Sequence, residues 1–186
     1  MSNAHKDRYK KGFQGYETPP QLINAILEGI GDHTIGHARH QFDLDVCCSS
    51  ENIPAKKHFI YPKTDALKEN WEGLCWMNPP YGADLRKFVE KANNEWLEDR
   101  ASIIALLPVR LENKYYHDII LENCEVIYLI AGKLKFEIDG KAQEGRCPVP
   151  SMLAFWMRSE NWRMKYTEIE RALRRHGYDG TLIRSI

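Results

Sequence analysis

Short, continuously apolar runs, each stopped by a proline or a polar residue and followed by an amphipathic stretch, constrain this chain more than any other feature. "GLCWM" ends at Asn78, and from Ala83 to Leu97 the residues Leu85, Phe88, Val89, Ala92 and Trp96 fall on one side of a helix. "SIIALLP" stops at Pro108 and is followed by the helical "NKYYHDIILEN" and then by "CEVIYLIA". Runs of this length without polar alternation belong to strands covered on both faces, which is the condition of a parallel sheet between helices.

The flanking segments extend the pattern. "ETPPQLINAILEGI" predicts a helix capped by Thr18, with Leu22, Ile23, Ile26, Leu27 and Ile30 at helical spacing. "FDLDVCC" predicts a strand ending near Cys47, and a second short strand is expected at His58 to Tyr61, closed by Pro62. Asp139-Gly140, between alternating runs, marks a hairpin. "PSMLAFWM" reads as another buried strand, "TEIERALRRHGY" as a capped helix ended by Gly177, and "GTLIRSI" as a last short strand. The expected fold is α/β: a Rossmann-like, doubly wound, mostly parallel sheet with an antiparallel hairpin at its C-terminal edge. Ligands in such sheets bind beyond the carboxyl ends of the strands.

Composition narrows the function classes. The chain has 186 residues, 43% hydrophobic and 28% charged, the composition of an ordinary folded domain. It reads as a flexible tail through Tyr16 and one domain from residue 17 to 186. Net charge is zero, so total charge advertises neither nucleic acid nor membrane. "HKDRYKK" and "ERALRRH" are locally basic and read either as phosphate contacts or as a solvated tail and helix face. Five cysteines without a C-x-x-C pair suit a reducing cytosol. His33, His37 and His40 lie near Cys47, but the intervening glycines favour a polar loop over a metal site, so no metal is expected. No apolar run of about 18 residues occurs, and the expectation is a cytoplasmic protein without a membrane partner.

The loop after "GLCWM" carries the chemistry. In "NPPYG", the Asn78 side-chain oxygen and the Pro79 carbonyl are both acceptors, while Pro79 and Pro80 stiffen the backbone and remove competing N–H groups. Two acceptors hold one planar NH2 group, and Tyr81 offers a ring for stacking. An amine conjugated to a ring is a poor nucleophile, and hydrogen bonds that favour a tetrahedral nitrogen release its lone pair as it attacks.

This loop resembles motif IV of S-adenosylmethionine-dependent amino-methyltransferases. The ordered blocks "ETPPQLI", "FDLDVCCSSENIPAKKHFIYPKTDALKENW", "CWMNPPYG", "ALLPVR", "AGKLKF" and "SMLAFWM" resemble the small phage-type DNA N-6-adenine methyltransferase family. The resemblance covers Glu17 to Met157 and implies methyl transfer to a flipped-out adenine in double-stranded DNA, by an enzyme encoded by a phage or prophage in a bacterial host. It places Thr18 and Pro19 against the cofactor's methionine end, with Asp45 near its amino group and Cys47 and Ser49 along the following turn. Asp65 would contact the cofactor adenine, and Asn78, Pro79, Pro80 and Tyr81 would hold the target base, Asn78 also facing the cofactor. "DLDVCCSS" lacks the glycines of most methyltransferase motif I turns, and no large recognition domain separates Asp45 from Asn78.

Several residues carry a second reading. Asp65 also reads as a helix cap, Arg110 as a phosphate contact or a plain surface arginine, and Lys133 and Lys135 as DNA contacts or as solubilising charges on an edge strand. The five tryptophans read mostly as core, and a homodimer would enlarge the DNA contact surface. Two other functions share these features: methylation of a protein glutamine amide, and a non-catalytic DNA-binding domain of the same fold.

Overall fold

The computed structural model describes residues 16–31, 41–138, 140–142, 147, 149–158 and 162–184. The His33–His40 loop, Asp139 and the tail up to residue 15 lie outside them. Helix α1, Pro20–Ile30, buries Leu22, Ile23, Ile26, Leu27 and Ile30, as their spacing requires. Its first turn accepts proline because the leading N–H groups have no partner within the helix. Thr18 is not its cap: Pro19 holds that position and no side chain caps the helix.

Strands β1 (Phe42–Cys48), β2 (Ala55–Ile60) and β3 (Gly73–Met77) precede helix α2 (Leu85–Leu97) and strand β4 (Ala101–Pro108). A π-helical segment, Tyr116–Leu121, leads to β5 (Val126–Ile130), β6 (Glu137–Ile138), β7 (Lys141–Ala142) and β8 (Ser151–Trp156). Helix α3 (Trp162–Arg175) and β9 (Gly180–Arg184) follow. Helix α3 starts before Thr167, which therefore sits inside it and not at its cap; Gly177, at φ 82°, turns the chain out of it. Strand β2 begins earlier than the apolar pattern shows, because it is an edge strand whose Lys56 and Lys57 face solvent.

Seven strands form one sheet in the order β2-β1-β3-β4-β8-β5-β9. β2, β1, β3 and β4 run parallel, whereas β8 is antiparallel to β4 and β5, and β9 is antiparallel to β5. The expectation of a mostly parallel sheet edged by the hairpin needs correction. Half of the neighbouring pairs are antiparallel, β9 forms the edge, and β6–β7 is a separate two-stranded sheet. The reason is apolarity: β8 is buried along its whole length and takes an inner slot, while the segment entering the hairpin carries the exposed Lys133 and Lys135.

Side chains leave the sheet on both faces into two cores. α1 and α3 cover Phe42, Trp76, Leu106, Tyr128 and Phe155 on one face; α2 and the π-helical segment cover Val46, Met77, Leu107 and Trp156 on the other. Gly29 lets α1 and α3 meet backbone to backbone, since a Cβ there would stand 2.4 Å from the Ile169 Cα. Trp71, Trp76 and Trp156 are fully buried, and Trp96 is half-buried with its indole N–H donating to the Met157 carbonyl at 2.9 Å. Among the described residues no helix is long and apolar enough to cross a membrane.

Candidate active site

β1 lies between β2 and β3, so the chain leaves it to opposite sides and the carboxyl ends of these three strands frame a cleft. The cavity holds about 280 Å³. Val46, Phe59, Ala66, Leu67 and Phe88 give it an apolar lining, and Asn78, Pro79, Pro80 and Tyr81 line it together with Tyr16, Phe136 and Cys147. Tyr61, Asp65, Asp84 and Lys87 stand exposed around it.

Asn78 leaves β3 directly into the two prolines. Its side-chain nitrogen donates to the Tyr16 carbonyl at 3.1 Å and to the Thr18 hydroxyl oxygen at 3.2 Å. Both amide hydrogens are thereby used, and Oδ1 accepts no hydrogen bond among the described residues. Tyr81 is half-buried, its ring perpendicular to Phe136 at 6.1 Å between centroids and its hydroxyl donating to the Leu106 carbonyl at 3.4 Å. Phe136 in turn meets Tyr16 edge to face at 6.0 Å. Pro79 is buried and Pro80 half-buried, and the Gly82 N–H donates back to the Pro80 carbonyl at 2.9 Å.

Asp45 does not reach the cleft wall. It is 1% exposed, and its carboxylate accepts from the Cys47 N–H at 3.3 Å, within the strand whose Val46 and Cys47 do line the cleft. Burial pushes its carboxyl up to about 7, against the opposing pull of that N–H and of His58. Desolvation, with the Asp45 carboxyl nearby, likewise raises the Cys47 thiol well above its ordinary range. Cys47 is therefore an inert thiol at neutral pH.

The other residues singled out from the sequence divide into two groups. Thr18 is buried against Asn78 and Pro19 follows it into α1, and neither is part of the cleft lining. Asp65 lines the mouth, but its carboxylate is engaged locally, accepting from the Leu67 N–H at 3.2 Å and pairing with Lys68 at 3.2 Å. Ser49 is exposed and outside the lining. Arg110 is also outside it and pairs loosely with Glu112 at 3.8 Å. Among the described residues no group of three or more His, Cys, Asp or Glu side chains is placed to hold a metal ion.

A family model described as DNA N-6-adenine-methyltransferase (Dam) matches residues 16–179. The chain belongs to this family. The DNA N-6-adenine-methyltransferase of Haemophilus phage HP1 (strain HP1c1) is 32% identical over 97 residues, covering 52% of this chain and 55% of that protein. The chain thus matches about half the length of that curated relative.

In this member of the Dam family the basic side chains divide into paired and unpaired groups among the described residues. The arginines of "ERALRRH" are occupied: Arg171 pairs with Glu168 at 2.6 Å, Arg174 with Glu170 at 3.0 Å and Arg175 with Glu28 at 2.6 Å. By contrast Lys63, Lys133 and Lys135 are exposed and pair with no acidic residue among those described. Lys63 sits between the cleft residues Tyr61 and Thr64, and Lys133 and Lys135 precede the cleft residue Phe136. Sequence reasoning missed Tyr16, Tyr61, Thr64 and Phe136 as parts of this site. Tyr16 and Phe136 are far apart in the chain and each reads as an ordinary aromatic, so no local pattern could have paired them.

Proposed function

We propose that this protein is an S-adenosylmethionine-dependent DNA adenine N6-methyltransferase with a Rossmann-like, doubly wound fold. The observation that carries the reading is the Asn78 amide, whose two hydrogens are taken by Tyr16 and Thr18 so that its oxygen is left as an acceptor beside the Pro79 carbonyl. Family membership supports adenine in DNA over a glutamine amide as the planar amine, and over a non-catalytic DNA-binding role.

The residues present suit the cofactor. Phe59, Ala66, Leu67 and Phe88 make an apolar slot for a flat ring, and the lining carboxylates are already paired, Asp84 with Lys87 at 2.8 Å and Asp65 with Lys68 at 3.2 Å. What suits a cation is Asp45, buried in β1 beside the lining residues Val46 and Cys47. S-adenosylmethionine, when bound, supplies an electrophilic methyl group on a sulfonium. Cys47 and the apolar slot would hold its nucleoside, with Asp65 at the adenine. Asp45, Thr18 and Pro19 would lie toward the methionine end, and Ser49 would line the turn.

The chain's own residues do the rest. Asn78 Oδ1 and the Pro79 carbonyl accept the two N6 hydrogens of the adenine and favour a tetrahedral nitrogen, which frees the lone pair in the transition state. Tyr81 stacks on the base, which must leave the duplex to reach the cleft. Pro80 holds the loop rigid, and the amine proton leaves to solvent after transfer. Lys63, Lys133 and Lys135, next in sequence to cleft residues, would meet flanking phosphates, with Arg110 as a further contact.

Purified protein incubated with labelled cofactor and either DNA or protein acceptors should label DNA alone, at N6 of adenine. Label in protein and none in DNA would reject the reading. Replacing Lys63, Lys133 and Lys135 together by alanine should flatten the dependence of log K on log salt for duplex binding by about 2 to 3, at nearly one unit per lost phosphate contact. An unchanged slope would place the DNA surface elsewhere.

A further inference from the structure

The side-chain amide of Asn78 can present either of two faces by rotating half a turn, and the two are chemically opposite. With the oxygen toward the cleft it accepts from an incoming amine; with the NH2 group toward the cleft it sets donor against donor. Something has to choose. We propose that the Tyr16–Thr18 segment makes this choice, with Thr18 acting as a positioning residue that locks Asn78 as an acceptor. This rests on the reading of Asn78 as the group that receives the target amine.

The bond partners fix the direction. The Tyr16 carbonyl, 3.1 Å from the Asn78 nitrogen, only accepts, so the NH2 group has to face it. The Thr18 hydroxyl oxygen takes the second hydrogen at 3.2 Å and, since a hydroxyl can also donate, it holds the amide in the orientation that the Tyr16 carbonyl sets. Thr18 is 3% exposed and does not cap α1, where Pro19 occupies the cap position without side-chain help, so Asn78 is the partner its hydroxyl has.

The residue between them fastens the segment. The Glu17 N–H donates to the Glu137 carbonyl at 2.9 Å and its carbonyl accepts from the Glu137 N–H at 3.0 Å, a bridge to the β6–β7 hairpin. Its carboxylate accepts from the Gly140 N–H at 2.9 Å in the same hairpin and from the Ser50 hydroxyl at 3.0 Å in the turn after β1. Three consecutive residues thus tie the catalytic loop, the turn after β1 and the hairpin to one another. The two acceptors that orient Asn78 lie on either side of the staple, so neither can drift without breaking it.

The test compares Thr18→Val, which keeps the shape and removes the acceptor, with Thr18→Ser, which keeps the acceptor and removes the methyl group. We expect kcat for DNA methylation to fall about three- to ten-fold in the valine variant, the scale of one lost net hydrogen bond. KM for DNA should stay within about two-fold, because Thr18 is buried and outside the cleft lining and would act on the base only through Asn78. The serine variant should recover kcat. Equal losses in both variants would mean the threonine only fills space and would overturn the proposal, as would full activity in a folded valine variant. Nitrogen-proton NMR of the unmodified protein gives a readout without activity: both Asn78 side-chain hydrogens should exchange slowly with solvent, and a fast-exchanging one would also overturn it. Full methylation by Asn78→Ala would instead reject the role of Asn78 itself.

Discussion

The two sides of the cleft are built in opposite ways. On the Asn78 side the decisive contacts are long-range: Asn78 reaches Tyr16 and Thr18, Tyr81 reaches Leu106 and Phe136, and Phe136 reaches Tyr16. On the Asp65 side they are local: Asp65 accepts from Leu67 and pairs with Lys68, and the Trp71 indole donates to the Ala66 carbonyl at 2.9 Å. A side chain that must present one atom to a reacting amine needs constraints from several directions, because a small tilt costs rate. A slot that receives a flat apolar ring needs shape and dryness, which one compact loop over Phe59 and Phe88 can provide. Substitutions should therefore separate the two sides, rate falling on one and cofactor affinity on the other.

The largest effect belongs to the long-range side. Asn78→Ala should lower kcat by at least about 10²- to 10³-fold, the measured scale for removing one preorganised hydrogen-bonding group. Cofactor affinity, followed by calorimetry, should change little; a variant that transfers methyl groups at the original rate would erase the contrast.

Asp45, buried in β1, comes next. Its carboxyl, moved from 3.8 up to about 7 in the folded chain, favours the protonated form there. The stability it lends is complete below 3.8 and is lost as pH rises through about 7. A cofactor ammonium reverses this preference, so binding should tighten between pH 6 and 8 in the unmodified protein. Asp45→Asn should remove that pH dependence, weaken binding about ten-fold at pH 8 through the lost charge beneath the lining, and raise the melting temperature at that pH. Unaltered affinity across the range would detach Asp45 from the cofactor.

The smallest effect is expected from Asp65→Asn. Its carboxylate is exposed and already engaged with Leu67 and Lys68, so cofactor affinity should fall by only about two- to five-fold, in line with exposed pairs. A loss as large as that at Asp45 would mean that the local side also positions a specific atom.

The residues that were legible in the sequence are those whose signal is local. The apolar runs at Gly73–Met77, Ala101–Pro108 and Ser151–Trp156 are strands, and the spacing in α1 and α2 gives both helices. The alternation of Lys133 and Lys135 with Leu134 and Phe136 is also met, with the lysines exposed and the apolar pair buried. Lys56 and Lys57 hid the start of β2, because an edge strand needs no apolar pattern on its outer side. Thr18 sits beside two prolines and so reads as a cap, although its hydroxyl turns to a residue far along the chain. "ERALRRH" looked open to phosphate, yet its three arginines are neutralised by Glu168, Glu170 and Glu28, the last from another helix.

By itself the sequence determined which segments become strands and helices, and that Asn78, Pro79, Pro80 and Tyr81 form a proline-stiffened loop at a strand's carboxyl end. These properties follow from periodicity and from the covalent restrictions of proline, which act within a few residues. Only the tertiary structure decided that β8 enters between β4 and β5, that the hairpin stands apart from the main sheet, and which face of the Asn78 amide meets the cleft. Those outcomes depend on hydrogen-bond partners that become neighbours only after the chain has folded, so no local pattern can encode them.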